Sequence, residues 1–392
     1  MSIKTLAILG STGSIGQSTL DIVKKTKKFK VILIAANSNY LKILYQIKNF
    51  KPKVVIISDF KIYLKVKKII KSKKIVILNN FLNIENNIKN IDITVSAIPG
   101  IIGLEPTLKF IKLTKKILLA NKESIVCGWK LIEKNATKYK TQIVPIDSEH
   151  FSISELTKNY SINEIEKIYI TASGGPFLKL DKSKFKNIKP KDAVKHPKWK
   201  MGKKISVDSA TLMNKVLELT EALRLFDFNL NMYEIIIHPQ SLIHAIVRLK
   251  NGTSFFLYHV TDMKIPISNA LFESRFNYAK YFKKNVNENF SNLNIEFFPA
   301  NKNKFSTLNL IPKMDANESA PIIINAANEI FVDEFLKNNI DFNDISSYLN
   351  LVLKAKNYIK TSNMSSGNLK NIYKIDSWAR KVAFKIIKEK KK

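Results

Sequence analysis

The sequence predicts an α/β chain in three parts: a doubly wound parallel sheet over residues 1–146, an α+β segment over 147–282, and an α-helical bundle over 305–392. A linker at 283–304 separates the last two. Three observations carry that expectation. Short β-branched runs alternate with longer lysine-faced segments through the first 146 residues, the pattern of strands joined by crossover helices. Four further apolar runs around one long helical stretch then replace the alternation. The final third shows helical periodicity.

In chain order, the first-part strands are expected at Thr5–Leu9, Val31–Ala36, Val54–Ser58, Ile75–Leu78, Ile93–Ala97, Ile117–Ala120 and Gln142–Ile146. The middle part should hold a mixed or antiparallel sheet from Ile168–Ala172, Glu234–Ile237, Ile243–Leu249 and Thr253–His259. A single helix is expected from about Ser209 to Phe226, with Leu212, Met213, Val216, Leu217 and Leu223 on its apolar positions. Residues 283–303 are rich in Asn and Lys and weakly periodic, as a linker would be. Helices are then expected over 321–337, 345–355 and 377–388.

Composition limits the function classes. With 392 residues and 45% hydrophobic content, the chain can bury several cores and is not disordered. No apolar stretch approaches the roughly 18 residues that cross a bilayer, and the N-terminus reads as neither a secretory nor a transit segment. A cytoplasmic protein without a membrane partner is the expectation. One cysteine, Cys127, excludes a disulfide framework and a multi-cysteine zinc site, and it reads as a buried apolar residue. The five histidines show no zinc spacing.

The net charge of +33 raises nucleic-acid binding, yet 61 of the 65 basic residues are lysines spread along the chain. Phosphate-backbone readers cluster their charge and lean on arginine. Solvated helix faces account for the lysines, no nucleic-acid partner is expected, and the charge still favours anionic small molecules.

Gly10-Ser11-Thr12-Gly13-Ser14-Ile15-Gly16 follows the first strand and opens a helix. Glycines so spaced let a backbone turn tightly against a pyrophosphate at a helix N-terminus, although a plain tight turn has the same spacing. A free ribose 2′-OH is usually held by an acid about 20 residues past such glycines. Asn37-Ser38-Asn39 stands there instead, with neither an acid nor a basic residue. Those neutral donors favour NADP(H) over NAD(H).

Asp147 and Glu149 flank Ser148; on an extended segment they would share a face and suit Mg²⁺ or Mn²⁺. A helix cap with acids in its first turn reads equally well. Asn214, Lys215 and Glu218 are spaced to point into one pocket, or Lys215 and Glu218 form an ordinary surface ion pair. Ser173-Gly174-Gly175-Pro176 is a phosphate cradle or a simple turn. His196-Pro197-Lys198-Trp199-Lys200-Met201-Gly202 is a candidate lid, its Trp either a cap or an anchor.

Together these segments resemble the 1-deoxy-D-xylulose 5-phosphate reductoisomerase family. The matching stretches are GSTGSIGQSTLD, LLANKES, PIDSEH, TASGGPF, HPKWKMGKKISVDSATLMNK, HPQSLIHAIV and NAANEI, in the family's order. The resemblance implies a Rossmann-like NADPH domain over 1–146, a catalytic and dimerising domain over 147–282, and a helical bundle over 305–392. It assigns NADPH contacts to Thr12, Gly13, Ser14, Ile15, Asn37, Ser38, Asn39, Asn121, Glu123 and Gly202. It assigns the metal, Mg²⁺ or Mn²⁺, to Asp147, Glu149 and Glu218. Substrate contacts fall on Lys122, Ser148, Glu149, Ser173, His196, Ser209, Asn214, Lys215 and Glu218. Lys122, Asp147, Glu149 and Glu218 form the implied catalytic set, and a homodimer is implied.

The implied reaction rearranges the ketose phosphate to a branched aldehyde, which NADPH reduces to 2-C-methyl-D-erythritol 4-phosphate, a step of the non-mevalonate isoprenoid pathway. The sequence departs from the family pattern at Val216, which replaces a Gly, in Tyr258–Lys264, in Phe272–Arg275 and at Asn37-Ser38. None of these departures removes an implied metal or phosphate ligand. The rival readings are an ordinary NADP-dependent dehydrogenase, which needs no metal, and a basic nucleic-acid-binding protein.

Overall fold

The computed structural model describes residues 3–199, 201–282 and 294–390. Its contacts divide the chain into two units. The first comprises Met1–Ser124, Lys130–Ser148 and Asp262–Glu288. The second comprises Ile125–Trp129, Glu149–Thr261 and Asn289–Lys392.

In the first unit all seven expected strands form: β1 (Lys4–Leu9), β2 (Phe29–Ala36), β3 (Val54–Ile57), β4 (Val76–Leu78), β5 (Ile91–Ser96), β6 (Thr114–Leu119) and β7 (Gln142–Pro145). Every pairing is parallel, in the order β4-β3-β2-β1-β5-β6-β7. Helices α1 (Ser14–Thr26), α2 (Tyr40–Phe50), α3 (Phe60–Ile69), α4 (Leu104–Ile111) and most of α5 (Lys122–Tyr139) supply the crossovers. Near-continuous Ile, Val and Leu runs in the central strands follow from burial on both faces. The order reverses between β1 and β5, so their carboxyl ends open the crevice where such sheets bind ligands.

The chain returns to this unit after residue 261. In the helix Lys264–Phe272, Ile267 and Leu271 are buried in the same core as Leu6, Ile34 and Val55. Phe272 packs edge-on against Phe29, with ring centroids 5.1 Å apart. A middle domain reaching residue 282 did not anticipate this return.

The second unit holds a mixed sheet in the order β11-β10-β8-β9-β12. Its strands are β8 (Ile165–Ala172), β9 (Tyr233–Ile237), β10 (Ile243–Leu249), β11 (Ser254–Tyr258) and β12 (Phe298–Pro299). Only β8 and β9 run parallel. Of the expected linker, 283–293 lies outside the described residues, and Phe298 pairs with Ile237 as an edge strand. The helices Ala320–Leu336, Phe342–Leu353 and Leu369–Lys390 form the expected helical region. Arg380 ties two of them by bridging Asp376 at 2.7 Å and Glu329 at 2.5 Å.

Four helices of the middle segment carry or flank the functional side chains: α6 (Ser148–Thr157), α7 (Pro190–Ala193), α8 (Lys203–Thr211) and α9 (Met213–Leu225). The single helix expected over 209–226 is therefore two. Leu212 breaks it in the left-handed region at φ 61° while 1% exposed. One tertiary bond and one local bond hold this unusual backbone. Thr307 Oγ1 donates to the Thr211 carbonyl at 2.5 Å, and Met213 N donates to Thr211 Oγ1 at 3.3 Å.

Candidate active site

The glycine loop follows β1. A Cβ on Gly10 (φ 85°) would fall 2.4 Å from the Ala97 carbonyl oxygen, so close backbone packing dictates that glycine. Gly13 differs: its nearest neighbour is the Gly10 carbonyl oxygen at 3.4 Å. Gly13 caps α1 without a side-chain bond, and the first turn has no acid. The leading N–H groups at Ser14 and Ile15 thus have the character of an anion cradle. Gln46 fixes the loop from α2, accepting from Ser11 Oγ at 2.7 Å and donating to the Ser11 carbonyl at 2.9 Å.

Asn37, Ser38 and Asn39 lie exposed past the end of β2. Asn39 Oδ1 accepts from Lys42 N at 3.2 Å and so caps α2. The expectation of no basic residue holds for the strand end but not for its surroundings. Lys42 Nζ comes within 3.4 Å of the Thr12 carbonyl oxygen in the glycine loop.

At the end of β6, Asn121 caps α5 by accepting from Ser124 N at 2.5 Å, and its Nδ2 donates to the Ile98 and Gly100 carbonyls. Asn121, Lys122 and Glu123 are each less than 10% exposed. Lys122 Nζ donates to Asp147 Oδ2 at 2.9 Å. Asp147 and Glu149 do not lie on an extended segment, as the spacing argument required: α6 begins at Ser148, which places Glu149 in its first turn. A helix start competes with extension wherever acids follow a strand.

In the second unit, Glu149, Lys215 and Glu218 form a buried cluster. Lys215 Nζ donates to Glu149 Oε1 and lies 2.5 Å from Glu218 Oε2. Asn214 Nδ2 donates to Glu218 Oε1. Burial works against the Lys215 charge, but the Glu149 and Glu218 carboxylates outweigh it and hold the ammonium above its ordinary pKa. The alternative of an exposed Lys215–Glu218 pair is therefore excluded: the two side chains are 9% and 3% exposed. His150, which sequence reasoning passed over, donates from Nε2 to the Glu218 backbone carbonyl at 2.8 Å. Its spacing from Glu218 left no local signal.

Ser173, His196 and Ser209 belong to the same unit. Gly175 (φ 66°) sits where a Cβ would meet the Ser209 carbonyl oxygen at 2.8 Å, so the turn packs directly on the end of α8. His196 Nδ1 accepts from the backbone N–H of Lys198 at 3.1 Å and of Trp199 at 2.8 Å. Nε2 must then carry the proton, and it donates to Ser173 Oγ at 2.9 Å. Burial first, and then the Lys215 charge, lowers the His196 pKa to about 4. Trp199 packs edge-on to His244, with centroids 5.9 Å apart, and anchors the segment in this structure. Gly202 caps α8, and Lys200 lies outside the described residues. Thr12, Gly13, Ser14, Ile15, Asn37, Ser38, Asn39, Asn121, Lys122, Glu123, Asp147 and Ser148 fall in the first unit. Glu149, Ser173, His196, Gly202, Ser209, Asn214, Lys215 and Glu218 fall in the second.

Comparison with known proteins covers nearly the whole chain. The family model for 1-deoxy-D-xylulose 5-phosphate reductoisomerase matches residues 6–128, and its C-terminal domain model matches 143–226. A model described as the DXP reductoisomerase C-terminal domain matches 259–382. The reductoisomerase of Pelagibacter ubique is 46% identical over 382 residues, which is 96% of this chain and 97% of that protein. The Wolbachia pipientis wMel enzyme is 40% identical over 99% of this chain and 98% of its own. A crystal structure of DOX-P reductoisomerase in complex with NADPH, fosmidomycin and magnesium superposes with a TM-score of 0.90 at 34% identity, covering 99% of both chains. The Zymomonas mobilis enzyme in complex with NADPH gives 0.88 at 32% identity, covering 98% of this chain and 99% of that one.

Proposed function

The chain belongs to the 1-deoxy-D-xylulose 5-phosphate reductoisomerase family, and from that premise we propose how its residues perform the family's reaction. It is an NADP-dependent oxidoreductase that converts 1-deoxy-D-xylulose 5-phosphate to 2-C-methyl-D-erythritol 4-phosphate, using NADPH and a divalent metal. The buried Glu149–Lys215–Glu218 cluster carries the assignment of residues.

The residues present fit both groups. Glu149 and Glu218 offer hard oxygen donors, and one ammonium faces two carboxylates there, which leaves negative charge for a dication such as Mg²⁺ or Mn²⁺. Asp147, two residues earlier in the chain, is the proposed third ligand. The open face of Gly13 and the uncapped start of α1 fit a pyrophosphate. When bound, the metal supplies Lewis acidity to oxygens of the ketose phosphate, and NADPH supplies the hydride.

The chain's own residues then bind and orient. Thr12, Gly13, Ser14 and Ile15 hold the cofactor's pyrophosphate; Asn37, Ser38 and Asn39 face its adenosine ribose; Asn121, Glu123 and Gly202 complete the cofactor contacts. His196 donates from a neutral imidazole, and with Ser173, Ser209, Asn214 and Lys215 it anchors the substrate phosphate. That binding energy is available for orienting the reacting carbons. Ser148 contributes a hydroxyl, and Lys122, bonded to Asp147, holds a proton and a positive charge at Nζ.

The same reading takes 1–146 for nucleotide, 147–261 for catalysis and dimerisation, since 262–282 packs back on the first unit, and 305–392 as a helical bundle. A homodimer is supported by β11, an edge strand of its sheet among the described residues, where Phe255 and Phe256 are 41% and 52% exposed. Light scattering of the purified protein tests this, and a monomer would remove it. A cytoplasmic location belongs to the same reading and is tested by cell fractionation; among the described residues no helix is long and apolar enough to cross a membrane. The test of function is NADPH oxidation with 1-deoxy-D-xylulose 5-phosphate, with and without Mn²⁺ or Mg²⁺. Turnover that is absent, or indifferent to metal removal, would overturn the reading.

A further inference from the structure

We propose that Lys42 is the residue that discriminates NADPH from NADH in this chain, supplying from α2 the cation that the end of β2 lacks. The inference rests on the NADPH reading above and adds a residue to it. A ribose 2′-phosphate is read where the second strand ends beside the glycine loop. In this chain that corner holds Asn37, Ser38 and Asn39, all uncharged, and the Asn39 carbonyl oxygen of the side chain is already engaged as the cap of α2. Neutral donors can hydrogen-bond a dianion but bring no positive charge to offset it, whereas an ammonium at the same corner adds direct coulombic attraction.

The fold brings a cation to the same corner from one turn further along. Lys42 and Gln46 are four apart on α2, so they share a face, and both turn that face to the glycine loop. Gln46 makes two bonds to Ser11, and Lys42 Nζ reaches the Thr12 carbonyl oxygen at 3.4 Å. The ammonium is thereby held beside the loop and half-buried, with its long, weak carbonyl contact leaving donors to spare. No acid stands in the first turn of α1 or α2 to neutralise it. Asp59, at the end of β3, spends its carboxylate capping α3 by accepting from Ile62 N at 2.9 Å. Lys65, with Nζ 5.7 Å from the Tyr40 ring centroid, is another cation beside α2 and serves as a control.

The test is direct binding, read from nicotinamide fluorescence, of NADPH and NADH to the full-length wild type and to Lys42→Ala, Lys42→Arg and Lys65→Ala. The expected result is that Lys42→Ala weakens NADPH tenfold or more while leaving NADH within twofold. Lys42→Arg should retain most of the preference, and Lys65→Ala should match wild type. Equal weakening of both cofactors by Lys42→Ala would mean that Lys42 only braces the loop, and would overturn the inference. So would no change, or the same selective loss from Lys65→Ala. A wild type that binds neither nucleotide would instead sink the NADPH reading itself.

Discussion

His150 Nε2 donates to the backbone carbonyl of Glu218 at 2.8 Å, and this bond joins the first turn of α6 to the middle of α9. The imidazole is fully buried and stacks beside Phe226. Glu149 and Glu218 thus stand on helices that a side-chain-to-backbone bond holds together, in addition to the charges that meet at Lys215.

Replacing His150 by Leu should therefore loosen the carboxylates without removing either. The Glu218 carbonyl lies inside α9 and keeps its helical partner, so the loss is that of one net hydrogen bond, about 0.5–1.5 kcal/mol. The metal concentration giving half-maximal activity is expected to rise on the order of tenfold, while NADPH binding holds. His150→Gln, which can place an amide N–H near the same point, should recover most of the loss. A Leu variant with unaltered metal dependence would show that the bond positions nothing.

Glu218→Gln should nearly abolish turnover and leave NADPH binding intact. The amide can keep a bond to Asn214 or Lys215, so the fold survives, but one negative charge leaves the proposed metal site. Loss of several kcal/mol of electrostatic stabilisation corresponds to a hundredfold or greater fall in kcat. Near-normal kcat at low metal would show that Glu218 is misassigned as a metal ligand.

His196 sets a pH dependence. Its folded pKa of about 4 lies below the ordinary 6.5 because burial, and then Lys215, disfavour the charged form. The unfolded chain therefore takes up the proton first, and the stability due to neutral His196 is fully present above about pH 6.5. It drains away as pH falls from there towards 4. Thermal melts of wild type and His196→Gln across that window should show the variant losing less on acidification. Parallel melting curves at every pH would contradict the assignment.

The parallel sheet was legible because its strands are consecutive apolar runs, each with its own glycine or polar stop, and all seven lie within a few residues of the expected places. The break at Leu212 was not legible. No Gly or Pro marks it, and a contact from Thr307, far along the chain, sustains it. The same limit hid Lys42 and His150. Their partners, Thr12 and Glu218, are 30 and 68 residues away, and no local spacing encodes such contacts. Asn214, Lys215 and Glu218 were legible as a group because one helix carries all three. Spacing alone still could not distinguish a buried cluster from a surface pair; burial decided that.

Ser38→Asp should shift cofactor preference from NADPH towards NADH. Ser38 is exposed past the end of β2, and its carbonyl already accepts from Tyr40 N at 2.8 Å, so a carboxylate there can be introduced without disturbing the cap at Asn39. An acid at this place accepts from a ribose 2′-OH and repels a 2′-phosphate. With Lys42 Nζ held near Thr12, it would also attract the ammonium away from the phosphate, so two effects act in one direction. Together they should change the preference by about 1–3 kcal/mol, or roughly five- to 150-fold. The quantity to measure is the ratio of kcat/KM for NADPH to that for NADH in both proteins. A wild-type ratio at or below unity, or no fall on substitution, would mean that this strand end does not read the ribose. Combining Ser38→Asp with Lys42→Ala then separates the two effects: if the acid acts only by recruiting Lys42, the double variant falls no further than Lys42→Ala alone, whereas direct repulsion adds to it.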